Sequence, residues 1–383
     1  MFEMRRRKLV MGKQKKVGIL TFSYSSNYGS VLQAYALRKI ISSIEGYEAH
    51  VINYSKTNYG KPIIGKDVFT KNIKEWTPKN LARWTVRMIA HPLKMRKFNN
   101  FFKTHYTPFF KKSYTRASLN SLNDYFDKFV VGSDQVWNYD SPQVDDTYFL
   151  DFVEDSHKKI SYAASFGQKK IPEEKRSIAK KLITDFSSIS VRESNGVDIV
   201  SDLTPRKATW VLDPSLLLDK SEYQKIASMP KEKGYVFLYL RHESKKMDEF
   251  AEGLARARGL KVIKVYRQWL CKENRTTPKV VGPYEWLGFI QAADYVVTNS
   301  FHGICFSLAF EKNFFVEFLT GTAANTNSRI ADLLKQFDLL NRHIDDVKDF
   351  DDLEEIDYSV VNKFKEYRKQ ESLLYLKNAI EGN

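Results

Sequence analysis

Cysteine is nearly absent: the 383-residue chain holds only Cys271 and Cys305, far apart and without a partner pattern. That scarcity argues against a disulfide framework and a cysteine-rich zinc site, and it suits a reducing, cytoplasmic compartment. Long apolar runs are missing too. Stretches such as Val17 to Phe22 end well short of the ~20 residues a membrane span requires. No secretory signal is visible. Residues 1–16 form a basic tail, and the apolar stretch behind it reads as a strand. Repeats and low-complexity tracts are lacking as well.

Acidic residues are scarce in two places. Residues 1–16 carry seven Lys/Arg against Glu3, a net of +6, and residues 71–116 carry twelve against Glu75, a net of +11. These segments hold +17 of charge while the whole chain is +15, so the remainder nets −2 and the positive field is local. The cations form no nucleic-acid motif, so a nucleic-acid partner is not expected. Segment 71–116 interleaves its cations with Trp76, Trp84, Met88, Phe98, Phe101 and Phe102. Two readings stand: peripheral contact with an anionic membrane surface, or aromatics packed into a core with the cations solvated.

What is present is material for two cores, with 43% hydrophobic and 14% aromatic residues over 383 positions. A strand–helix rhythm runs through the chain. Val17 to Phe22 is an apolar run, a polar turn follows, and Val31, Leu32, Tyr35, Leu37, Ile40 and Ile41 mark one side of a helix. Further strands are expected at His50–Tyr54, Lys128–Gly132, Lys159–Ala164, Ser188–Arg192 and Thr209–Asp213. A second cycle has strands at Gly234–Leu240, Lys261–Val265, Tyr295–Thr298 and Phe314–Phe318. Alternating buried strands and helices predict parallel sheets covered on both faces. The expected architecture is α/β: two doubly wound domains, 17–220 and 228–383, facing a cleft. A basic helical insert occupies about 57–121, where Pro62, Pro78, Pro92 and Pro108 are expected to divide it into short pieces. A C-terminal helix is expected over about 358–380, packing back across the domain junction.

Ligands in such sheets bind beyond the carboxyl ends of strands, at the loops entering helices. After the first strand come Asn27, Tyr28, Gly29 and Ser30, with Ser30 placed to cap a helix beginning at Val31. Free amides at such a start hold phosphate or carboxylate. Other strand-end loops carry Gly132, Ser133 and Asp134; Ser165 and Phe166; Arg192 and Glu193; and Ser300, Phe301, His302 and Gly303. His302 stands out among seven histidines because Thr-Asn-Ser before it and Gly after it set it at a strand-to-helix switch. Imidazole is the side chain best matched to proton transfer near neutral pH.

These loops together resemble the polysaccharide pyruvyl transferases from about Val17 to Phe337. The matching blocks are Asn27-Tyr-Gly-Ser-Val-Leu-Gln-Ala-Tyr-Ala-Leu, Val130-Val-Gly-Ser-Asp-Gln-Val-Trp-Asn, Ser161-Tyr-Ala-Ala-Ser-Phe-Gly, Ser190-Val-Arg-Glu, Leu212-Asp-Pro-Ser-Leu-Leu-Leu and Thr298-Asn-Ser-Phe-His-Gly. The resemblance implies two Rossmann-like halves arranged as in GT-B glycosyltransferases. It also implies phosphoenolpyruvate as co-substrate without other cofactor or metal, and a sugar acceptor of a cell-surface or exopolysaccharide, in some pathways lipid-linked. Arg192 and His302 match the family's catalytic arginine and histidine. Asn27, Tyr28, Gly29, Ser30, Ser300, Phe301 and Gly303 fall at the donor site, and Gly132, Ser133, Asp134, Ser165, Phe166 and Glu193 at the acceptor side or cleft. One departure is Ser300, where better-known members carry an arginine; Arg241, Lys264 and Arg267 are candidates to replace it. His302 serves either as acid/base or as stabiliser of the departing phosphate, and Asp134 or Glu193 as the base. The alternative is a GT-B glycosyltransferase taking a nucleotide sugar.

Overall fold

The computed structural model describes residues 14–23, 26–54, 78–266, 280–319 and 327–382. Most of the basic tail, the part of the insert before residue 78, Arg267 and Cys271 lie outside the described residues.

Two parallel sheets carry the chain. The first contains β1 (Lys15–Leu20), β2 (Tyr47–Val51), β3 (Lys128–Val131) and β4 (Lys159–Ser161) in the order β2-β1-β3-β4. The parallel pair β5 (Ile189–Val191) and β6 (Ala208–Trp210) joins it through isolated bridges from Ile160 to Ser188 and from Ala164 to Val191. The second sheet contains β7 (Tyr235–Leu240), β8 (Lys261–Tyr266), β9 (Tyr295–Thr298) and β10 (Asn313–Val316), in the order β10-β9-β7-β8. All six residues of β7 are buried, as expected of a strand covered on both faces. The expected pair of doubly wound α/β units is what the chain forms.

Six helices bear on the site: α1 (Tyr28–Ile41), α2 (Pro78–His105), α3 (Pro283–Ala292), α4 (Phe301–Phe310), α5 (Asn327–Gln336) and α6 (Tyr358–Glu381). Pro92 does not divide the insert as anticipated, since α2 begins at Pro78 and runs for 28 residues straight through it; Pro108 lies beyond the helix end and Pro62 outside the described residues. An interior proline costs about 3 kcal/mol. Burying Phe98, Phe101 and Phe102 on one side of the helix, at roughly 1.5–3 kcal/mol each, outweighs it. Those three aromatics are therefore core residues, while Arg96, Lys103, Lys111 and Lys112 stay exposed. Among the described cations of this segment Lys94 is the exception: it is buried, with Nζ 4.8 Å from the centre of the Tyr28 ring.

One hydrophobic cluster spans both halves, joining Val31 and Leu37 of α1 to Trp286 of α3 and Phe306 of α4. Tyr28 stacks on Trp286 with ring centres 5.4 Å apart, and its hydroxyl donates to the Val281 carbonyl at 3.1 Å. The last helix adds a strap. Asn362 donates to Glu311 in the second half, whereas Ser372 accepts from the Leu212 amide and Tyr375 donates to the Ser161 carbonyl in the first. These contacts hold the two halves in one orientation.

Candidate functional site

The carboxyl ends of β1 and β3 face those of β7 and β9 across a cavity of about 160 Å³. Its walls include Phe22, Asn27, Ser30, Asp134 and Gln135 from the first half and Tyr239, Arg241, Ser300, Phe301, His302 and Arg329 from the second. Two helix starts meet there. The first, α1, begins at Tyr28 with Asn27 as its N-cap, three residues earlier than expected. Ser30 therefore sits inside the first turn and does not cap it; its hydroxyl donates to Asp134 Oδ2 at 2.5 Å. The second, α4, is capped by Ser300, whose hydroxyl accepts from the Gly303 amide at 3.3 Å. Neither helix has an acidic residue in its first turn, so both present positive dipole ends to the cavity.

The residues ahead of His302 shape the loop. Thr298 donates to the Tyr239 carbonyl at 2.7 Å, and Asn299 clamps the end of β7 by accepting from the Arg241 amide at 2.8 Å and donating to the His242 carbonyl at 2.9 Å. Arg241 thus reaches the cavity wall. Of its fellow candidates, Lys264 is paired instead with Asp248 at 2.9 Å and Glu252 at 3.0 Å.

His302 is 6% exposed and rests on Gly29, where no side chain intervenes. Its Nε2 is buried, has no hydrogen-bond partner, and lies 3.6 Å from Asp213 Oδ2. Asp213 is itself held in place: Oδ1 accepts from the Ser215 amide and hydroxyl, and Oδ2 from Ser133 Oγ at 2.7 Å and Arg192 Nη1 at 3.0 Å. Burial alone would raise its carboxyl, but His302, Arg192 and Ser215 hold it far below the usual carboxylate range.

Arg192 does not line the cavity. It is buried behind Phe301, with its guanidinium carbon 4.1 Å from that ring's centre, and pairs with Glu193 at 2.9 Å and with Asp213. Its Nη2 is the one nitrogen left without a partner. Glu193 is occupied in that pair. Asp134 does line the cavity and has φ of 84°, an uncommon left-handed conformation for a non-glycine residue. Burial pushes its carboxyl up, yet His302, Arg192, the Ser30 hydroxyl and the Gln135 amide bring it down to about 2.

Other expected residues stand behind the walls. Ser165 donates its amide to the Asp134 carbonyl at 3.1 Å, and Phe166 packs on Trp137 with ring centres 5.2 Å apart. Gly132 lies against Thr21 and Leu37, Gly303 against Thr298, and Tyr28 in the core between the halves.

Two residues escaped the motif reading. Asp213 sits within a quoted block but reveals its role only through its partners. Arg329 belongs to no block. It lies on α5, 3% exposed, with Nε unpartnered and its guanidinium carbon 5.8 Å from the centre of Phe301. Burial and the neighbouring Arg192 and Arg241 lower its pKa to about 9. Its one sequence trace is a cation in the apolar stripe formed by Ile330, Leu333 and Leu334. The arrangement is a small, cation-rich pocket carrying an imidazole, fit to bind a compact polyanion and move a proton. Among the described residues no group of three or more His, Cys, Asp or Glu is placed to hold a metal ion, and no helix is long and apolar enough to cross a membrane.

The family model described as polysaccharide pyruvyl transferase matches residues 27–316. A search of curated proteins found no match. Among solved structures, the chain is similar to the wall teichoic acid polymerase TagF, at 9% identity over 99% of this chain and 93% of that one, with a TM-score of 0.48. It is also similar to UDP-GlcNAc 2-epimerase from Neisseria meningitidis, at 11% identity over 94% of this chain and 100% of that one, with a TM-score of 0.45.

Proposed function

The chain belongs to the polysaccharide pyruvyl transferase family, and from that premise we propose that it moves a pyruvyl group from phosphoenolpyruvate onto a sugar as a cyclic ketal. The observation carrying this reading is the cavity, about 160 Å³ and lined by Arg241, Arg329 and His302. Phosphoenolpyruvate is compact and bears a carboxylate and a phosphate, each able to take paired bonds from a guanidinium or amides at a helix start. Two guanidinium groups and two helix starts converging on one compact cavity match the two anionic groups of phosphoenolpyruvate, and this supports pyruvyl transfer over the glycosyltransferase alternative.

In the proposed reaction, the His302 imidazolium gives its proton to the methylene carbon, and the C=C electron pair forms the new C–H bond. The adjacent carbon becomes cation-like, and a sugar hydroxyl adds to it, its proton returning to the imidazole. The C–O bond to phosphate then breaks, the electron pair leaving with the phosphate oxygen. A second sugar hydroxyl closes the ring and its proton goes to the phosphate. In net terms one sugar proton replaces the one given to the new methyl group and the other ends on phosphate, so the imidazolium is regenerated. Arg329 and Arg241 take the place of the arginine missing at position 300. With guanidinium groups supplying the positive charge, chelator treatment is expected to leave turnover unchanged.

Thermal shift with phosphoenolpyruvate against a panel of nucleotide sugars tests the donor, and phosphate release with product mass tests the transfer. Stabilisation by a nucleotide sugar and not by phosphoenolpyruvate would overturn the reading. The exposed cations of α2 and of the segment following it support a second, separate proposal: weak binding to an anionic membrane surface, at ~1 kcal/mol per near-surface cation. Flotation with anionic vesicles at low salt checks it, and no association there ends it.

A further inference from the structure

We infer that Asp213 is a positioning residue whose buried carboxylate favours the Nε2–H form of His302, leaving Nδ1 as the nitrogen that exchanges the proton with substrate. The inference rests on the reading of His302 as proton carrier in pyruvyl transfer. It follows from which edge of the imidazole faces what. Nε2 points inward, sealed from solvent, 3.6 Å from Asp213 Oδ2 and with no other partner. A buried nitrogen beside an ionised carboxylate is most stable when it carries hydrogen, and a neutral imidazole has only one to place. The carboxylate is fixed by Ser133, Ser215 and Arg192, so it neither turns away nor takes up the proton itself.

The opposite edge has the reverse surroundings. Nδ1 lies beside Gly29 at the start of α1, where a Cβ would come within 2.3 Å of it. The ring packs directly on the glycine there, and His302 lines the cavity beside the amides at the start of α1 that attract the donor's anionic oxygens. Of the other charged groups near the ring, Asp134 faces it across the cavity and Arg192 is spent on Glu193 and Asp213. Arg192 thereby acts on the chemistry through Asp213.

The test is long-range ¹⁵N–¹H correlation on the full chain labelled at histidine, with the His302 signals identified by their loss in His302→Gln. The neutral ring is expected to be protonated at Nε2 and bare at Nδ1; an Nδ1–H tautomer overturns the inference. In Asp213→Asn the carboxamide can donate to Nε2 and force the other tautomer, as substitution of the triad aspartate does in serine proteases. That variant is expected to show the switched tautomer and a kcat lower by about 10²–10⁴-fold with KM for phosphoenolpyruvate little changed. Full kcat in a folded Asp213→Asn protein would also overturn it. If this variant does not fold, the wild-type tautomer decides alone. Absence of phosphoenolpyruvate turnover by the wild type would sink pyruvyl transfer and still leave the tautomer to decide the role of Asp213.

Discussion

His302 rests on Gly29 so closely that a Cβ at the glycine would stand 2.3 Å from both Cγ and Nδ1 of the imidazole. The two residues belong to opposite halves of the chain, at the starts of α1 and α4. Gly29→Ala therefore has to displace the ring, although alanine suits a helix better than glycine does. Turnover should fall at least ~10-fold, since misplacing a reacting group by about 1 Å costs more than that, while the melting temperature holds. Wild-type kcat in this variant would mean the imidazole is not used where it stands.

Removing the imidazole itself should be more severe. His302→Gln is expected to lose ~10²–10⁴ in kcat, the usual worth of a positioned acid/base group, with near-ultraviolet circular dichroism unchanged. Substantial remaining turnover in a folded variant would take His302 out of the chemistry.

Arg329 should behave as a residue kept for ligand at the expense of stability. Its pKa of about 9 records the burden of a buried cation beside Arg192 and Arg241. Because the folded state disfavours its charged form, this contribution is destabilising at neutral pH and fades as pH rises through about 9. Arg329→Met should thus raise the melting temperature of the ligand-free protein and abolish the stabilisation given by phosphoenolpyruvate. A variant that melts lower and still responds to the donor would contradict both parts.

Asp134 should govern part of the acid limit. Its folded pKa of about 2 lies below the ordinary 3.8, so its stabilisation is present above about pH 4 and disappears as pH falls through 2. The shift corresponds to roughly 2 kcal/mol. Urea unfolding between pH 2 and 6 should show a shallower acid loss in Asp134→Asn, a substitution that tolerates the left-handed backbone at that position. An identical acid profile in the variant would mean that the carboxylate gains nothing from its neighbours.

The sequence alone specified the alternation of strands and helices and the loops in which His302, Gly29, Asp134 and Arg241 were to be sought. Strand periodicity is local, and the chemistry of a parallel sheet gathers at known strand ends, so these features are legible without coordinates. Residues such as Asp213 and Arg329 are not. Their importance arises from neighbours 89 positions away in the one case, His302, and from a shared pocket with Arg192 and Arg241 in the other. The fate of the basic helix was likewise a tertiary matter: cations and phenylalanines alternate in its sequence, but only packing against α1 and α3 decided which side is core. The same holds for the arginine after β5, which a motif marks as a ligand-gripping group and which the fold spends largely on Glu193 and Asp213. Local spacing assigns a residue to a strand end, whereas charge partners and desolvation are set by segments distant in sequence, and those exist only once the two halves close on each other.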